Sequence, residues 1–327
     1  MEFNVQELKN LTKKQTVKEA QLIQFDGIRI VVMSDEYLLF TDLPRSTKET
    51  MIGTAPLGTV PSATFEKFLQ KVKQETIDIS STNQELKIQV SKKAEAGIRL
   101  VPNQEIPSEP PEKGWKDLDP KWTEAALNAS SCCAPKPDGG FSLTLVNCTA
   151  NHVEAADQMH VIRIPVKNGI EAQLHNHSIK AIQEVTPTKW VDGEEWIWFK
   201  GEEGILGVRK FKTDSFPKLD RIFDKEGIPL MVPSKTILPA LEKADVFSDG
   251  TLSLSLTKGK AEIKGEDETG WYKESIRIKY DGPDVSFKSP CVVLKEIIEK
   301  GTDWILTEVS VRIEFDGAIF VASLRKQ

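Results

Sequence analysis

Residues 65–69, with the sequence FEKFL, decide the fold, because a similar helix-forming stretch returns twice further along the chain. The later copies are SIKAI at 178–182 and VVLKEII at 292–298. A second kind of helical stretch precedes each of them, as VQELKNL at 5–11, WTEAAL at 122–127 and ILPAL at 237–241. Corresponding stretches are spaced roughly 113 to 117 residues apart. A chain built from three similar units is expected to act through its shape more than through a single catalytic pocket.

Each repeat combines its two helices with strands. Alternating or β-branched runs predict strands at 29–33, 37–40, 76–80, 86–90, 141–146, 196–199, 204–208, 252–256, 261–265, 303–306 and 309–313. Ser62 is a suitable N-cap for the helix that contains Phe65, and Ser234 or Thr236 for the helix whose first turn would contain Pro239. The predicted fold is α+β, with three tandem domains that each pack two helices on antiparallel sheets.

Two proline-containing segments separate the repeats. Five prolines lie between positions 102 and 120, where few residues are apolar, and the segment GIPLMVP covers 227–233. Because proline favours extended backbone in the residue before it, we interpret both segments as linkers. The predicted domains are therefore residues 1–115, 116–229 and 230–327.

The composition is typical of a soluble globular protein, with 39% hydrophobic and 28% charged residues among 327. No apolar run approaches the ~20 residues that span a bilayer, and the first residues lack a secretory signal, so we expect a cytoplasmic protein. The four cysteines match neither a zinc site nor a disulfide framework, and reduced thiols are expected. The net charge of −6 disfavours nucleic acid, although residues 5–19 carry a local charge of +2.

Motifs that carry chemistry are few. The sequence has no phosphate-binding loop, no dinucleotide fingerprint and no HExxH motif, which makes an enzyme a weaker hypothesis. His175 and His177 would share one face of a strand, but no nearby third ligand completes a metal site, so we predict neither metal nor cofactor. Asp157 and His160 could form a catalytic dyad, although the sequence places no serine or cysteine nucleophile beside them.

The tryptophans near residue 196 allow two interpretations. Trp196 and Trp198 would point to the same side of a strand, close to Trp190 and Phe199. Core packing is the main interpretation, and an exposed interaction surface is the alternative.

Several of these segments resemble the bacterial sliding clamps, the beta subunits of DNA polymerase III. The first similarity is the threefold repeat. The second comprises VPSATF at 60–65 and IRLVP at 98–102, and the latter leads into the acidic proline-rich linker. The most specific is TDSFPKLDRI at 213–222, which is similar to the family's D-G-x-F-P-x-Y-x-R-[VI] segment. Asp214, Phe216, Pro217, Arg221 and Ile222 match that segment. The resemblance covers essentially the whole chain and indicates a divergent, short member.

The resemblance implies a homodimer that closes head to tail into a ring, with helices lining a hole around duplex DNA and sheets at the rim. A ring holds DNA by topology, so weak, sequence-independent contacts suffice. The lysines expected to face DNA are Lys9, Lys13, Lys14, Lys67, Lys71, Lys73, Lys180 and Lys295. The alternative is that these lysines are simply solvated helix faces.

The resemblance also implies a hydrophobic pocket between the second and third domains, into which the polymerase and the clamp loader insert a short peptide. The residues carried over to its wall are Asp157, Gln158, Met159, His160, Val161, Pro217, Arg221, Ile222, Phe320, Val321, Ala322, Ser323 and Leu324. Residues 157–161 depart from the family's acid-Gly-His-Arg-Leu order, and residues 322–324 replace its proline and methionines.

For the dimer interface, the resemblance pairs Ile98 and Leu100 of one subunit with Val246 and Phe247 of the other; the alternative places all four in the core. The predicted function is that of a DNA sliding clamp, a non-enzymatic processivity factor that tethers the replicative polymerase. One alternative is a clamp-fold adaptor or decoy, encoded by a phage or mobile element, that binds replication proteins without encircling DNA. A hydrolase is a less favoured alternative.

Overall fold

The computed structural model describes residues 2–6, 8–9, 22–42, 56–202, 204–224, 226–230 and 236–324. The chain folds into two compact units. The first unit comprises Met1–Pro120 and His177–Phe211, and the second comprises Lys121–Asn176 and Lys212–Gln327. The predicted second domain is divided between these units because its strands belong to two different sheets. The division into three domains stays a prediction.

The strands that precede residue 170 are β1 (Glu2–Asn4), β2 (Leu22–Asp26), β3 (Arg29–Met33), β4 (Tyr37–Asp42), β5 (Leu57–Pro61), β6 (Thr76–Ser81), β7 (Glu85–Ser91), β8 (Ala94–Arg99), β9 (Lys116–Asp117), β10 (Leu145–Cys148), β11 (His152–Ala156) and β12 (His160–Pro165). The later strands are β13 (Ala172–His175), β14 (Lys189–Asp192), β15 (Trp196–Gly201), β16 (Gly204–Arg209), β17 (Ile228–Leu230), β18 (Thr251–Thr257), β19 (Lys260–Glu266), β20 (Trp271–Arg277), β21 (Val285–Pro290), β22 (Gly301–Leu306), β23 (Ser310–Phe315) and β24 (Ala318–Ser323).

The described part of each unit contains one sheet of eight strands and one sheet of four. The first unit has the orders β5-β2-β3-β4-β16-β15-β14-β9 and β1-β6-β7-β8, and the second has β13-β10-β11-β12-β24-β23-β22-β17 and β20-β19-β18-β21. Each eight-stranded sheet thus consists of two four-stranded halves joined by one antiparallel pair. We call the pair β4–β16 the first junction and the pair β12–β24 the second junction.

The helices that lie wholly within the described residues are α1 (Ser62–Lys71), α2 (Pro120–Ser130), α3 (Asn176–Val185), α4 (Asp220–Phe223), α5 (Leu238–Asp245) and α6 (Cys291–Lys300). Apolar residues four apart bury one face of the longer helices, as Phe65 and Leu69 do in α1 and Leu294 and Ile298 in α6. Lys67 and Lys71 of α1 are exposed. No helix of the described ranges is long and apolar enough to cross a membrane.

The predicted helix starts are partly confirmed. Pro239 lies in the first turn of α5, as expected, but the N-cap position is occupied by Ile237, without a side-chain cap hydrogen bond, so the Thr236 cap is wrong. Ser234 lies outside the described residues. Helix α1 begins at Ser62 itself and its N-cap is Pro61, so that cap prediction is also wrong. Of the predicted helix at 5–11, residues 5–6 and 8–9 are helical and the others are not described.

The predicted strand at 141–146 is wrong over its first four residues. Two 3-10 helices follow each other at Pro137–Gly139 and Phe141–Thr144. The extended strand β10 begins only at Leu145. The Thr144 hydroxyl donates to the Phe141 carbonyl at 2.8 Å, a local bond that competes with strand pairing. The segment 227–233, interpreted as a linker, contributes β17, which pairs with β22.

The buried tryptophans and cysteines belong to the core. Trp196 and Trp198 are 7% and 2% exposed and their ring centroids lie 6.4 Å apart, which confirms core packing as the main interpretation. All four cysteines are buried and free. Burial raises the pKa of the Cys132 and Cys148 thiols, and burial together with Asp245 raises the pKa of Cys291 to about 12.

Candidate partner-binding site

The second junction brings several of the predicted pocket residues together. Val161 of β12 lies directly opposite Val321 of β24, and the neighbouring pair is Ile162 with Phe320. Because side chains alternate along a strand, Val161 and Val321 share one face of the sheet. The junction cluster on that face comprises Ala156, Val161, Leu219, Phe223 and Val321, with Leu143, Phe216, Ile222 and Ile319 half-buried against it.

The segment around α4 covers this cluster. The amides of Ile222 and Phe223 both donate to the Leu219 carbonyl, at 2.8 and 3.3 Å, so the chain turns helical there. Residues three and four apart share one side of such a turn. Leu219 and Phe223 are buried, whereas Ile222 stays half-buried and leaves apolar surface next to solvent. Each fully buried side chain of this kind stabilises the fold by about 1.5–3 kcal/mol.

Arg163 of β12 fixes the position of α4. Its guanidinium lies 2.7 Å from a Glu154 oxygen, 2.8 Å from Asp220 Oδ1 and 4.6 Å from the centroid of the Phe223 ring. Burial lowers the pKa of Arg163, but the hydrogen bonds to Asp220 and Glu154 outweigh that effect and raise it. The guanidinium therefore stays charged and holds the first turn of α4 against the sheet.

The turn between β11 and β12 is held by Asp157. Its Oδ1 accepts the backbone N–H groups of Met159 and His160, each at 2.6 Å, and its Oδ2 lies 2.9 Å from His160 Nδ1. Burial favours a higher pKa for Asp157, but the bonds to His160 and to the backbone lower it overall. The other ring nitrogen, His160 Nε2, lies 3.0 Å from the Lys288 carbonyl, so the ring links this turn to β21.

This arrangement does not support the hypothesis of a catalytic dyad. The His160 ring is buried and stacks on Phe320 with centroids 6.0 Å apart. One nitrogen faces Asp157 and the other faces a backbone carbonyl, so neither is directed at a substrate. The pair of side chains has a structural role.

The other predicted pocket residues are dispersed around the junction cluster. Phe320 and Ala322 are buried on the opposite face of β24, while Gln158 and Arg221 are exposed. Met159 is 42% exposed at the tip of the turn. Pro217 is half-buried, Ser323 donates its amide to the Met159 carbonyl at 2.8 Å, and Leu324 forms a bridge with Phe287 of β21.

The sequence prediction missed much of the cluster. Leu219 and Phe223 contribute buried side chains that were not assigned to the pocket, as do the half-buried Phe216 and Leu143. A signal was present, since Leu219 and Phe223 are four residues apart on either side of the matched Ile222. Leu143 carried no such signal because it lies within a 3-10 helix that the sequence did not predict.

No protein-family model and no curated protein matches the sequence. Solved structures match it over its whole length. The DNA polymerase III subunit beta from Pseudomonas aeruginosa is 15% identical with a TM-score of 0.69, and 100% of both chains is covered. The beta subunit from Thermotoga maritima is 14% identical with a TM-score of 0.70, covering 100% of this chain and 99% of that one. The Helicobacter pylori beta clamp, solved with a DNA ligase peptide bound, is 13% identical with a TM-score of 0.71 and full coverage of both chains.

The chain has the sliding-clamp fold. The resemblance seen in the sequence is thereby confirmed for the α+β architecture, with its antiparallel sheets and helices. At this level of identity the clamp likeness concerns the fold, and the roles of individual residues remain predictions.

The lysines predicted to face DNA in a clamp are in different environments. Lys67, Lys71, Lys73 and Lys180 are exposed. Lys9 donates to the Val72 carbonyl at 2.6 Å. Lys295 forms an ion pair with Asp245 at 2.7 Å, which reduces the charge that it offers to a phosphate. Lys13 and Lys14 lie outside the described residues.

The residues predicted for the clamp dimer interface lie at the end of β8 and directly after α5. Ile98 is buried in β8, and Leu100 covers Gly58, where an added Cβ would come within 2.8 Å of the leucine side chain. Val246 is 72% exposed after α5, and Phe247 stacks on Tyr272 of β20 with centroids 6.4 Å apart.

The two histidines considered for a metal site fall into different elements. His175 ends strand β13, where its ring stacks on Phe141, whereas His177 lies in α3. The shared strand face on which that hypothesis depended is therefore wrong.

Proposed function

We propose that this protein is a DNA sliding clamp. Two copies would form a ring around duplex DNA, and the junction cluster would bind short apolar peptides of a polymerase and its loader. The observation that carries the proposal is the strand order of the four sheets, together with the full-length match to solved clamps.

The strand order contains the same four-stranded halves three times. The halves that end at β4, β12 and β20 have the orders β5-β2-β3-β4, β13-β10-β11-β12 and β21-β18-β19-β20. The halves that end at β16, β24 and β8 have the orders β9-β14-β15-β16, β17-β22-β23-β24 and β1-β6-β7-β8. Within the described chain, β4 pairs with β16 and β12 with β24, while β20 and β8 are sheet edges. An unpaired edge is a template for another strand, so β20 of one copy is expected to pair with β8 of another.

The hydrogen bonds of the turns give the register of this third junction. In the turns before β4, β12 and β20, the same bond joins Ser34 N to Tyr37 O, Asp157 N to His160 O and Asp267 N to Gly270 O, each at 3.0 Å. After β16, β24 and β8, the same bond joins Lys210 N to Glu195 O, Leu324 N to Val309 O and Leu100 N to Gln84 O, at 2.8–2.9 Å. Position 270 therefore corresponds to 37 and 160, and position 97 to 207 and 321.

This register places complementary residues opposite each other. At the first junction Leu38 lies opposite Gly207, so Trp271 of β20 is expected opposite Gly97 of the partner's β8. Trp271 is 64% exposed in the single chain and would be covered. Two residues further along, Lys273 is expected opposite the carboxylate of Glu95.

A pair of cysteine substitutions tests the register. Directly opposite residues of antiparallel strands have Cα atoms about 4.5–5.5 Å apart, within the range of a disulfide. Oxidation of Glu95→Cys/Lys273→Cys is therefore expected to give a covalent dimer, detected on a non-reducing gel. The four natural cysteines are buried and are not expected to form competing disulfides. The control Glu95→Cys/Arg277→Cys is out of register and is expected to stay uncrosslinked.

The same variant tests encirclement of DNA. Reduced subunits are diluted until gel filtration shows monomer, mixed with a nicked circular plasmid, concentrated and oxidised. A clamp is expected to stay with the circle in high salt and to leave it after the plasmid is linearised, because only topology retains it. Equal retention of the protein on circular and linearised plasmid contradicts encirclement and favours the adaptor or decoy. So does a crosslinked dimer that is never retained on the circular plasmid.

The peptide site is tested at Ile222, which is half-buried at the rim of the junction cluster. Ile222→Asp places a charge on the apolar surface and is expected to weaken binding to an array of short apolar peptides by about tenfold or more. Ile228→Asp is the matched control, since Ile228 is 57% exposed and lies outside the cluster. Equal loss in both variants contradicts the assignment.

A further inference from the structure

A cavity of about 270 Å³ opens beside the first junction. Its floor is apolar and consists of Met33, Leu38 and Trp196, which are 5%, 0% and 7% exposed. Leu22 and Ser34 lie on its wall, and residues 104, 105 and 107 of the proline-rich segment form one side. All of these residues belong to the first unit.

The backbone around this cavity repeats that of the second junction. Ser34 Oγ accepts the amides of Glu36 and Tyr37 at 3.2 and 3.0 Å, as Asp157 Oδ1 accepts the two amides in its own turn. The Arg209 amide donates to the Glu36 carbonyl at 2.9 Å, and the corresponding bond joins Ser323 to Met159 at 2.8 Å. The cavity therefore lies where the junction cluster lies in the second unit.

Different side chains fill the two places. At the first junction the position of Val321 is taken by Gly207, and a Cβ there would lie 2.6 Å from the Trp198 ring. The indole of Trp198 thus occupies the space of the missing side chain and leaves Trp196 to line the cavity. No counterpart of α4 covers the site, since the described segment 101–115 has no helix.

The mouth of the cavity is acidic. Asp35, Glu105 and Glu195 are exposed around it, with Arg209 as the one cation among the lining residues. The residues that correspond to Asp35, Glu195 and Arg209 at the second junction are Gln158, Val309 and Ser323, which carry no charge. Three carboxylates against one guanidinium attract a cation and repel phosphate.

We propose that this cavity is a second peptide-binding site, distinct from the junction cluster, and that it takes a partner segment in which a lysine or arginine adjoins an apolar residue. The volume lies just below the roughly 300–1,000 Å³ of typical ligand pockets and suits one or two side chains. The apolar side chain would enter between Met33 and Trp196, and the basic one would meet Asp35 and Glu195 at the mouth. This assignment stands whether or not the protein encircles DNA.

The test uses the whole chain and a fluorescein-labelled hexapeptide, Gly-Lys-Leu-Phe-Lys-Gly, with a counterpart in which both lysines are glutamate. Fluorescence anisotropy is expected to show binding of the basic peptide only. Asp35→Lys/Glu195→Lys is expected to weaken it about tenfold or more, because two attractive contacts become repulsive. Glu194→Lys is the control, since Glu194 is an exposed neighbour that does not line the cavity, and is expected to change binding less than about twofold.

A photocrosslink locates the peptide. With benzoylphenylalanine in place of phenylalanine, the label is expected on Met33 or Trp196 by mass spectrometry. Label on the exposed Met159 places the peptide at the second junction and overturns the proposal. So does the absence of binding at about 1 mM, equal binding of the acidic peptide, or an equal effect of the charge reversal and its control.

Discussion

Removal of the Asp157 side chain tests the hydrogen bonds that stabilise the turn at the second junction. One carboxylate caps the turn between β11 and β12 with two backbone bonds of 2.6 Å and pairs with His160 at 2.9 Å. Through His160 Nε2 it also connects the turn to the Lys288 carbonyl. Asp157→Ala deletes the three bonds of the carboxylate and leaves the bond between His160 and Lys288 to the ring alone, whereas Asp157→Asn keeps an oxygen for the amides and removes the negative charge.

The expected loss follows from the bonds. A hydrogen bond to a charged group contributes about 1.5–3 kcal/mol, and water replaces part of it because the side chain is 20% exposed. We expect Asp157→Ala to lower the free energy of unfolding by about 2–4 kcal/mol, and Asp157→Asn by about half as much. Urea unfolding followed by circular dichroism at pH 7 measures both, and Asp138→Ala, at an exposed acid of the same unit, is the control.

The pH dependence has a definite sign. The folded protein lowers the pKa of Asp157 below its ordinary value of 3.8, so the ionised form is favoured on folding. The stabilisation is complete above about pH 5 and is lost as the pH falls through the lowered pKa of the folded state. The difference between wild type and Asp157→Asn is therefore expected to narrow as the pH falls from 5 toward 3. Equal unfolding midpoints at pH 7, or a gap that widens on acidification, would refute the reasoning.

Further predictions concern the core, the cysteines and DNA. Gly207→Ala is expected to lower stability by about 1–3 kcal/mol in thermal unfolding, because its Cβ would meet the Trp198 ring at 2.6 Å; an unchanged melting temperature contradicts this. Cys291, whose pKa is raised to about 12, is expected to react with a maleimide at pH 7 only after unfolding. If the ring encircles DNA, Lys67→Glu/Lys71→Glu is expected to shorten residence on circular DNA at low salt and not at high salt, measured by retention on the plasmid.

The sequence predicted those parts of the fold that depend on local periodicity. The hairpin of β18 and β19 and the helix around Phe65 are set by alternation or by apolar spacing, and both are observed. The 3-10 turn at Phe141–Thr144 was missed because local side-chain bonds, invisible to periodicity, compete with strand pairing there.

The junctions could not be predicted from repeats alone. Strands β12 and β24 pair although they lie more than 150 positions apart in the sequence. The register of this pairing depends on turns, and the only sign of these turns in the sequence is an isolated polar residue. The same lack of information on long-range pairing explains why part of the junction cluster was not predicted. Val161 and Val321 were found by resemblance, but the contribution of Leu219 and Phe223 required the path of the chain over the sheet.

Strands β8 and β20, which are sheet edges among the described residues, have a consequence for assembly under the proposed pairing. If β20 of one subunit pairs with β8 of the next, each added subunit again leaves one free β20 edge and one free β8 edge. Such head-to-tail assembly can continue indefinitely unless it closes into a ring. In the proposed ring, closure after two subunits depends on the angle set at each contact. A substitution that changes this angle without weakening the pairing would therefore convert the proposed rings into filaments. Electron microscopy is then expected to show fibres for the variant, and sedimentation of the unchanged protein is expected to show a single small species.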